Sequence, residues 1–213
     1  MGGKSRRQHS QQTTRERWAL IATFNVGVTP GGAAFDGTNV WVANSSANTV
    51  TKLRASDGVA LGAFDVGTDP EGIAFDGVNI WTANGLANSV TKLRASDGAL
   101  QGTFTVGSFP YALAFDGANM WVANVNSNTV TKLLASDGSL VGTFGVGSGP
   151  EGVVFDGINI WVANEKGNTV TKLRASDGAP QGTFPLPGGP LGMAFDGANI
   201  WVTAVLGNSV RKL

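Results

Sequence analysis

Three observations on the 213-residue chain predict an all-β fold built from five similar units. Residues 64–103 are repeated with small edits from Phe24, Phe104, Phe144 and Phe184. Trp41, Trp81, Trp121, Trp161 and Trp201 hold a forty-residue spacing without drift, as do Pro30, Pro70, Pro110, Pro150 and Pro190. Short runs of Val, Ile, Thr, Phe and Trp alternate with turn residues, and no segment carries a helical period. A fixed period of this size marks a solenoid, propeller or array. One copy could not bury its own apolar face, so the copies must pack together.

Each unit offers four strands. In the second, strand A is residues 72–75, strand B residues 79–83, strand C residues 89–94 and strand D residues 100–106. Asp76-Gly77 joins A to B, and Asp97-Gly98 joins C to D. Asp-Gly is a strong hairpin signal, because glycine takes positive φ without penalty and aspartate tolerates the turn. Four antiparallel strands in about forty residues form the blade of a β-propeller. The expectation is therefore an all-β, five-bladed propeller.

The chain opens on a D strand, since residues 20–24 match residues 100–104, and it closes after strand C at residues 209–213. The N-terminal strand is expected to complete the last blade and remove the free edges. That gives a basic tail over residues 1–17 and one domain over 18–213. Its repeats are 24–63, 64–103, 104–143, 144–183 and 184–213 plus 18–23. Ala34, Ala74, Ala114 and Ala194 on strand A suit a crowded axis, with Val154 the exception.

Composition narrows the chemistry. There is no cysteine, so no disulfide or thiolate site can form. No apolar run reaches membrane-spanning length. The tail sets Lys4, Arg6, Arg7, Arg15 and Arg17 against Glu16, so the repeats carry the balancing negative charge. A solvated leader explains this basic tail more simply than a nucleic-acid contact does.

The pattern Pro-x-Gly-x-Ala-Phe-Asp-Gly-x-Asn-Ile-Trp-Val-Ala-Asn-x-x-x-Asn-Thr-Val-Thr-Lys-Leu resembles the YVTN-type β-propeller repeats, and more loosely NHL-repeat and streptogramin-lyase propellers. Trp-Val-Ala-Asn stands where the first family has Tyr-Val-Thr-Asn. The resemblance covers residues 18–213 and implies a propeller and an extracytoplasmic setting. The lyase-like relatives imply a catalytic histidine. The one histidine here is His9, in the tail, so that activity is not carried over.

No Ser-His-Asp or Cys-His set is present in the repeats. Residues 147–152 fit G-x-G-x-x-G as text, but they lie between strands rather than before a helix, so the dinucleotide reading fails. Asp36, Asp76, Asp116, Asp156 and Asp196 end strand A and could circle a channel mouth as a cation site. The stronger reading is that each caps its own Asp-Gly turn. The tryptophans are expected to pack between blades rather than to stack on sugars. Lys52, Lys92, Lys132 and Lys172, with Arg54, Arg94 and Arg174, read as solvated charge on an outer strand balanced by Asp57, Asp97 and Asp177.

The remaining signal is in the differences between copies. The Asp-Gly hairpins hardly vary, whereas the D-to-A and B-to-C connections on the opposite face vary most. After the proline the copies read Gly31, Glu71, Tyr111, Glu151 and Leu191; before it, Thr29, Asp69, Phe109, Gly149 and Gly189. The B-to-C loops include Gly85-Leu86 and Glu165-Lys166, and Ala204 replaces the asparagine found at Asn164. Loops on a rigid scaffold are where binding usually resides. Asp69, Glu71, Phe109, Tyr111, Glu151, Glu165, Lys166 and Leu191 are therefore the candidates to surround an asymmetric pocket for a protein partner or small polar ligand.

The expected role is a non-catalytic binding or scaffold module. It is expected to be a monomeric ring without cofactor, nucleic-acid partner or membrane span. Neutral drift in the loops of a purely structural, amplified or engineered ring is the first competitor. A lectin-like protein with one sugar site per blade is the second.

Overall fold

Each Asp-Gly pair folds its flanking apolar runs into a hairpin, and the hairpins join into one sheet per repeat. The computed structural model describes residues 20–213. The basic tail and the start of the expected N-terminal strand lie outside the described residues. Blade one comprises β1 (Pro30–Phe35), β2 (Asn39–Asn44), β3 (Thr49–Arg54) and β4 (Ala60–Asp65). Blade two comprises β5 (Pro70–Phe75), β6 (Asn79–Asn84), β7 (Ser89–Arg94) and β8 (Leu100–Thr105). Blade three comprises β9 (Pro110–Phe115), β10 (Asn119–Asn124), β11 (Thr129–Leu134) and β12 (Leu140–Gly145). Blade four comprises β13 (Pro150–Phe155), β14 (Asn159–Asn164), β15 (Thr169–Arg174) and β16 (Pro180–Pro185). Blade five comprises β17 (Pro190–Phe195), β18 (Ile200–Ala204) and β19 (Ser209–Lys212).

Every pairing is antiparallel between sequence neighbours, and blade five has three strands where the others have four. The A strands pack in series, β1 on β5, β5 on β9, β9 on β13 and β13 on β17, so the blades stack side by side. This is an all-β array of repeated antiparallel sheets, consistent with a β-propeller. Among the described residues the ring closure expected from the sequence is not formed. Residues 20–24 carry no strand, and Ile21 is 99% exposed. β1 and β17 each keep an exposed flank, marked by Phe35 and Phe195. Pairing is local and is fixed by the turns. Closure depends on the small angle between successive blades, which no turn sets.

The core lies between sheets. Trp81, Val90, Met120, Val122 and Leu133 form one cluster between blades two and three, and Trp121, Val130, Ile160, Val162 and Leu173 form the next. Trp41, Trp81 and Trp121 are fully buried, as expected from their apolar flanks, and each lies beside the D-strand phenylalanine of its own blade. A second, polar rung runs along the B strands. The buried Nδ2 groups of Asn44, Asn84, Asn124 and Asn164 donate to the hydroxyls of Thr51, Thr91, Thr131 and Thr171 at 2.9 Å. Ala204 leaves blade five without that rung.

Candidate functional site

The two faces of the array do different jobs. On the Asp-Gly face the hairpin aspartates serve their own turns. Asp116 accepts the backbone N–H groups of Ala118 and Asn119 at 2.9 and 2.6 Å, the Asn119 carboxamide at 3.1 Å and the Trp121 indole N–H at 2.7 Å. Asp36, Asp76, Asp156 and Asp196 accept the equivalent indole bond from Trp41, Trp81, Trp161 and Trp201. Burial pushes the Asp116 carboxyl up, but Trp121 and the turn amides outweigh it and hold the group below the usual carboxylate range. With their oxygens engaged one blade at a time, these aspartates do not form a shared cation ring. Among the described residues no three acidic or histidine side chains converge.

The lysine row corrects the sequence reading. Lys52, Lys92 and Lys132 are buried, not solvated. Strand C is the third strand of four, and its lysine faces the next blade. Lys132 Nζ donates to the carbonyls of Ala175 and Ser176 at 2.7 and 3.1 Å, and it sits 5.0 Å from the centre of the Trp121 ring. Lys52 and Lys92 repeat this on Ala95, Ser96, Ala135 and Ser136. Each lysine thus latches its blade to the following C-to-D turn. The arginines do pair at the surface, with Asp57, Asp97 and Asp177. Open grooves of about 410 Å³ lie over two of these junctions, one lined by Asp116, Lys132 and Phe155, the other by Asp76, Lys92 and Phe115. Their charged groups are already engaged.

The opposite face carries the candidates. At the D-to-A turn the residue before proline is held left-handed: φ is 56° at Thr29, 60° at Asp69 and 54° at Phe109. Glycine fills the same place at Gly149 and Gly189. This conformation is costly for threonine and phenylalanine, and such strain gathers at working sites. The turn is pinned from the previous blade, where the carboxamide oxygens of Asn48, Asn88 and Asn128 accept the N–H groups of Asp69, Phe109 and Gly149.

One step past each proline, the side chains form a row across the packed A strands. Gly31, Glu71, Tyr111, Glu151 and Leu191 follow one another on β1, β5, β9, β13 and β17. The strands approach closely because glycine faces backbone: a Cβ at Gly72 would run into the Tyr111 carbonyl oxygen, and one at Gly152 into that of Leu191. Glu71, Tyr111 and Glu151 are half-buried. Burial raises the Glu71 carboxyl, and Asp69 raises it further. Burial also raises the Tyr111 hydroxyl, helped by Glu71 and Glu151 on either side. Glu151 is raised by burial and by Glu165, against a lowering pull from Lys166. The Asp69 carboxylate and the Phe109 ring meet over Gly85, and the Glu165 carboxylate reaches toward Gly189. Among the described residues, the side chains of Glu71, Tyr111 and Glu151 make no hydrogen bond or ion pair.

The candidates therefore assemble, but as an open acidic row rather than a ring around a mouth. Asp69, Glu71, Tyr111, Glu151, Glu165 and Lys166 are coupled through space, Phe109 flanks them, and Leu191 ends the row. Sequence reasoning missed the indole-to-aspartate bond and the lysine latch. The Trp81–Lys92 register was the available signal for the latch, since residues opposed across two strands share a face.

No family model matches the sequence, and no curated protein matches it as a relative. Solved structures do match in shape. The chain is similar to the hydrazine synthase of Kuenenia stuttgartiensis, with TM-score 0.73 and 19% identity over 87% of this chain and 59% of that one. It is also similar to a protein of unknown function from Desulfotomaculum acetoxidans DSM 771, with TM-score 0.75 and 16% identity over 88% of this chain and 70% of that one. The chain thus spans 59% of the length of the hydrazine synthase chain it matches. At these identities the likeness shows the fold alone.

Proposed function

We propose that the chain is a non-catalytic binding module of the YVTN-like propeller type, which holds a cationic segment of a protein partner, or a small polar cation, on the face of the D-to-A and B-to-C loops. The observation that supports this reading is the triad Glu71, Tyr111 and Glu151. Two half-buried carboxylates flank an aromatic ring on rigid strands, and among the described residues none of the three has a hydrogen-bond or ion-pair partner. Such carboxylates favour an incoming cation, and the tyrosine face adds a cation–π contact. No histidine, cysteine or nucleophile–base pair accompanies them, so binding is a better account of the row than catalysis.

A fluorescent oligolysine peptide tests the proposal by titration at low salt. Binding that weakens with salt and is lost in the Tyr111→Ala, Glu151→Ala double variant is the expected result. A double variant that stays folded and binds as well as the parent would remove the proposal.

A purely structural array is the second reading. It is favoured by the repetition of the lysine, asparagine and aspartate bonds from blade to blade at nearly constant length. It predicts no difference between the two proteins in that titration.

A further inference from the structure

The grooves of the Asp-Gly face recur at the first three blade junctions and are assembled from the same parts. One wall comes from the leading blade: the hairpin aspartate, the asparagine three places on and the strand-C lysine. The other comes from the following blade: the phenylalanine that ends strand A and the serine of the C-to-D turn. At the second junction these are Asp76, Asn79 and Lys92, facing Phe115 and Ser136. The first and third junctions repeat the set one blade earlier and one blade later. The volumes are about 330, 410 and 410 Å³ from first to third. Small-molecule sites span roughly 300–1,000 Å³.

What each groove leaves unpaired is neutral. Its carboxylate is taken by the indole and the turn amides, and its ammonium by two carbonyls. One negative and one positive group cancel, and neither calls for a counter-ion. The asparagine is engaged on one side only. Asn39, Asn79 and Asn119 donate through Nδ2 to their aspartates at 3.0–3.1 Å, while among the described residues Oδ1 accepts no hydrogen bond. Asn39 is only 9% exposed, and an acceptor so enclosed calls for a donor. The hydroxyls of Ser96, Ser136 and Ser176 stand exposed on the facing wall and, among the described residues, are likewise unpaired. Between these polar groups lies the half-buried phenylalanine, with Val78, Ala118 or Ile158 of its own turn beside it.

We propose that each of these three junctions holds one neutral saccharide ring, its apolar face against the phenylalanine and its hydroxyls on the asparagine oxygen and the serine. The ligand class follows by elimination. A cation entering the groove meets the lysine ammonium, and an anion meets the aspartate. A wholly apolar ligand covers the asparagine oxygen without supplying its donor, which costs binding energy. A sugar ring supplies the donor, bonds the serine hydroxyl in either sense and keeps an apolar face for the aromatic wall. The grooves lie one repeat apart, so a glycan carrying several such rings can engage more than one junction at once and gain avidity.

The junctions are not identical. Leu134 lines the second groove where Arg174 lines the third. Arg174 is paired with Asp177 and brings no free charge, whereas Leu134 adds apolar surface to the wall. The second groove should therefore hold the ring most tightly. These sites lie on the face opposite the acidic row and do not depend on what that row binds.

An array of neutral plant, fungal and bacterial oligosaccharides tests the proposal, followed by calorimetric titration with the shortest sugar that responds. The parent should bind three equivalents, and Ser136→Trp, which fills the second groove from its exposed rim, should bind two. The Ser96→Trp, Ser136→Trp, Ser176→Trp variant should keep the parent's melting curve and lose at least roughly tenfold in affinity for a longer glycan of the same sugar. Should the tryptophans disturb folding, the three serines changed to alanine remove only exposed hydroxyls and should still weaken binding by about fivefold per site. Binding should be indifferent to salt and unchanged in Glu71→Gln, Glu151→Gln, which separates these sites from the acidic row. Silence across the array overturns the proposal. So does a folded triple variant that binds as the parent does, or binding that follows Glu71 and Glu151.

Discussion

Trp121 and Trp201 occupy the same place in blades three and five, make the same indole bond to a hairpin aspartate and lie beneath the same lysine. Yet one is fully buried and the other is 38% exposed. The local contacts are identical; what differs is whether a D strand and a further blade follow. Blades two, three and four are each packed on both sides, whereas among the described residues the outer flanks of blades one and five have no neighbouring sheet. Repeat proteins gain stability mainly from such nearest-neighbour interfaces. The interior of this array is therefore held together by junctions that its ends only half possess.

The largest contrast should come from the tryptophans themselves. Trp121→Ala should cost about 3–5 kcal/mol, by the usual loss for a buried aromatic. Trp201→Ala should cost roughly a third of that or less in dilute protein, because little apolar surface is withdrawn from water there. Chemical denaturation midpoints check both, and equal losses would remove the distinction between interior and end.

The lysine latch should give the next effect. Lys132→Met leaves two carbonyls of the Ala175–Ser176 turn without their donor and should cost about 1–3 kcal/mol. Among the described residues Lys212 makes no such latch, so Lys212→Met should be near neutral in thermal melts.

Acid should separate the two faces. The Asp36, Asp116 and Asp156 carboxyls are held low by their turns, so the stability they supply is present above the ordinary carboxylate pKa. It is lost as the pH falls through their depressed values. Glu71 and Glu151 are raised, so their ionisation opposes folding, and that penalty grows as the pH rises from the ordinary value through the raised one. The Glu71→Gln, Glu151→Gln variant should melt higher than the parent at neutral pH and equal to it in acid. A difference that persists in acid would assign the effect to packing rather than charge. Oligolysine binding should fade in the same window.

The smallest effect concerns the strained turn. Thr29→Gly should stabilise by about 1 kcal/mol or less, because glycine accepts φ near 56° that a β-branched residue resists. Thermal denaturation reads it. A loss instead would show that the Thr29–Ser46 hydroxyl contact outweighs the strain.

Much of the architecture was legible because its causes are local. Asp97-Gly98 turns wherever it stands, and Gly98 does take a φ of 78°. The strand limits agree to within two residues, the main shift being that strand A begins at Pro70, ahead of a bulge. The variable loops were also legible, and Glu71, Tyr111 and Glu151 do come together. Their arrangement as a row was not, since it depends on how β5, β9 and β13 stack. The lysines were misread for a related reason. A charged residue on a strand suggests solvent, and only the following blade supplies the carbonyls that make its burial tolerable.

By itself, then, the sequence determined the repeat, the four-stranded sheet, the turn chemistry and the positions at which the copies diverge, since each depends on residues a few places apart. The tertiary structure decided whether the array closes, which lysines are buried and what shape the acidic row takes. Those follow from the angle at which one blade meets the next. That angle is set by side chains one repeat apart packing against each other, Trp81 and Met120 at one junction, Trp121 and Ile160 at the next.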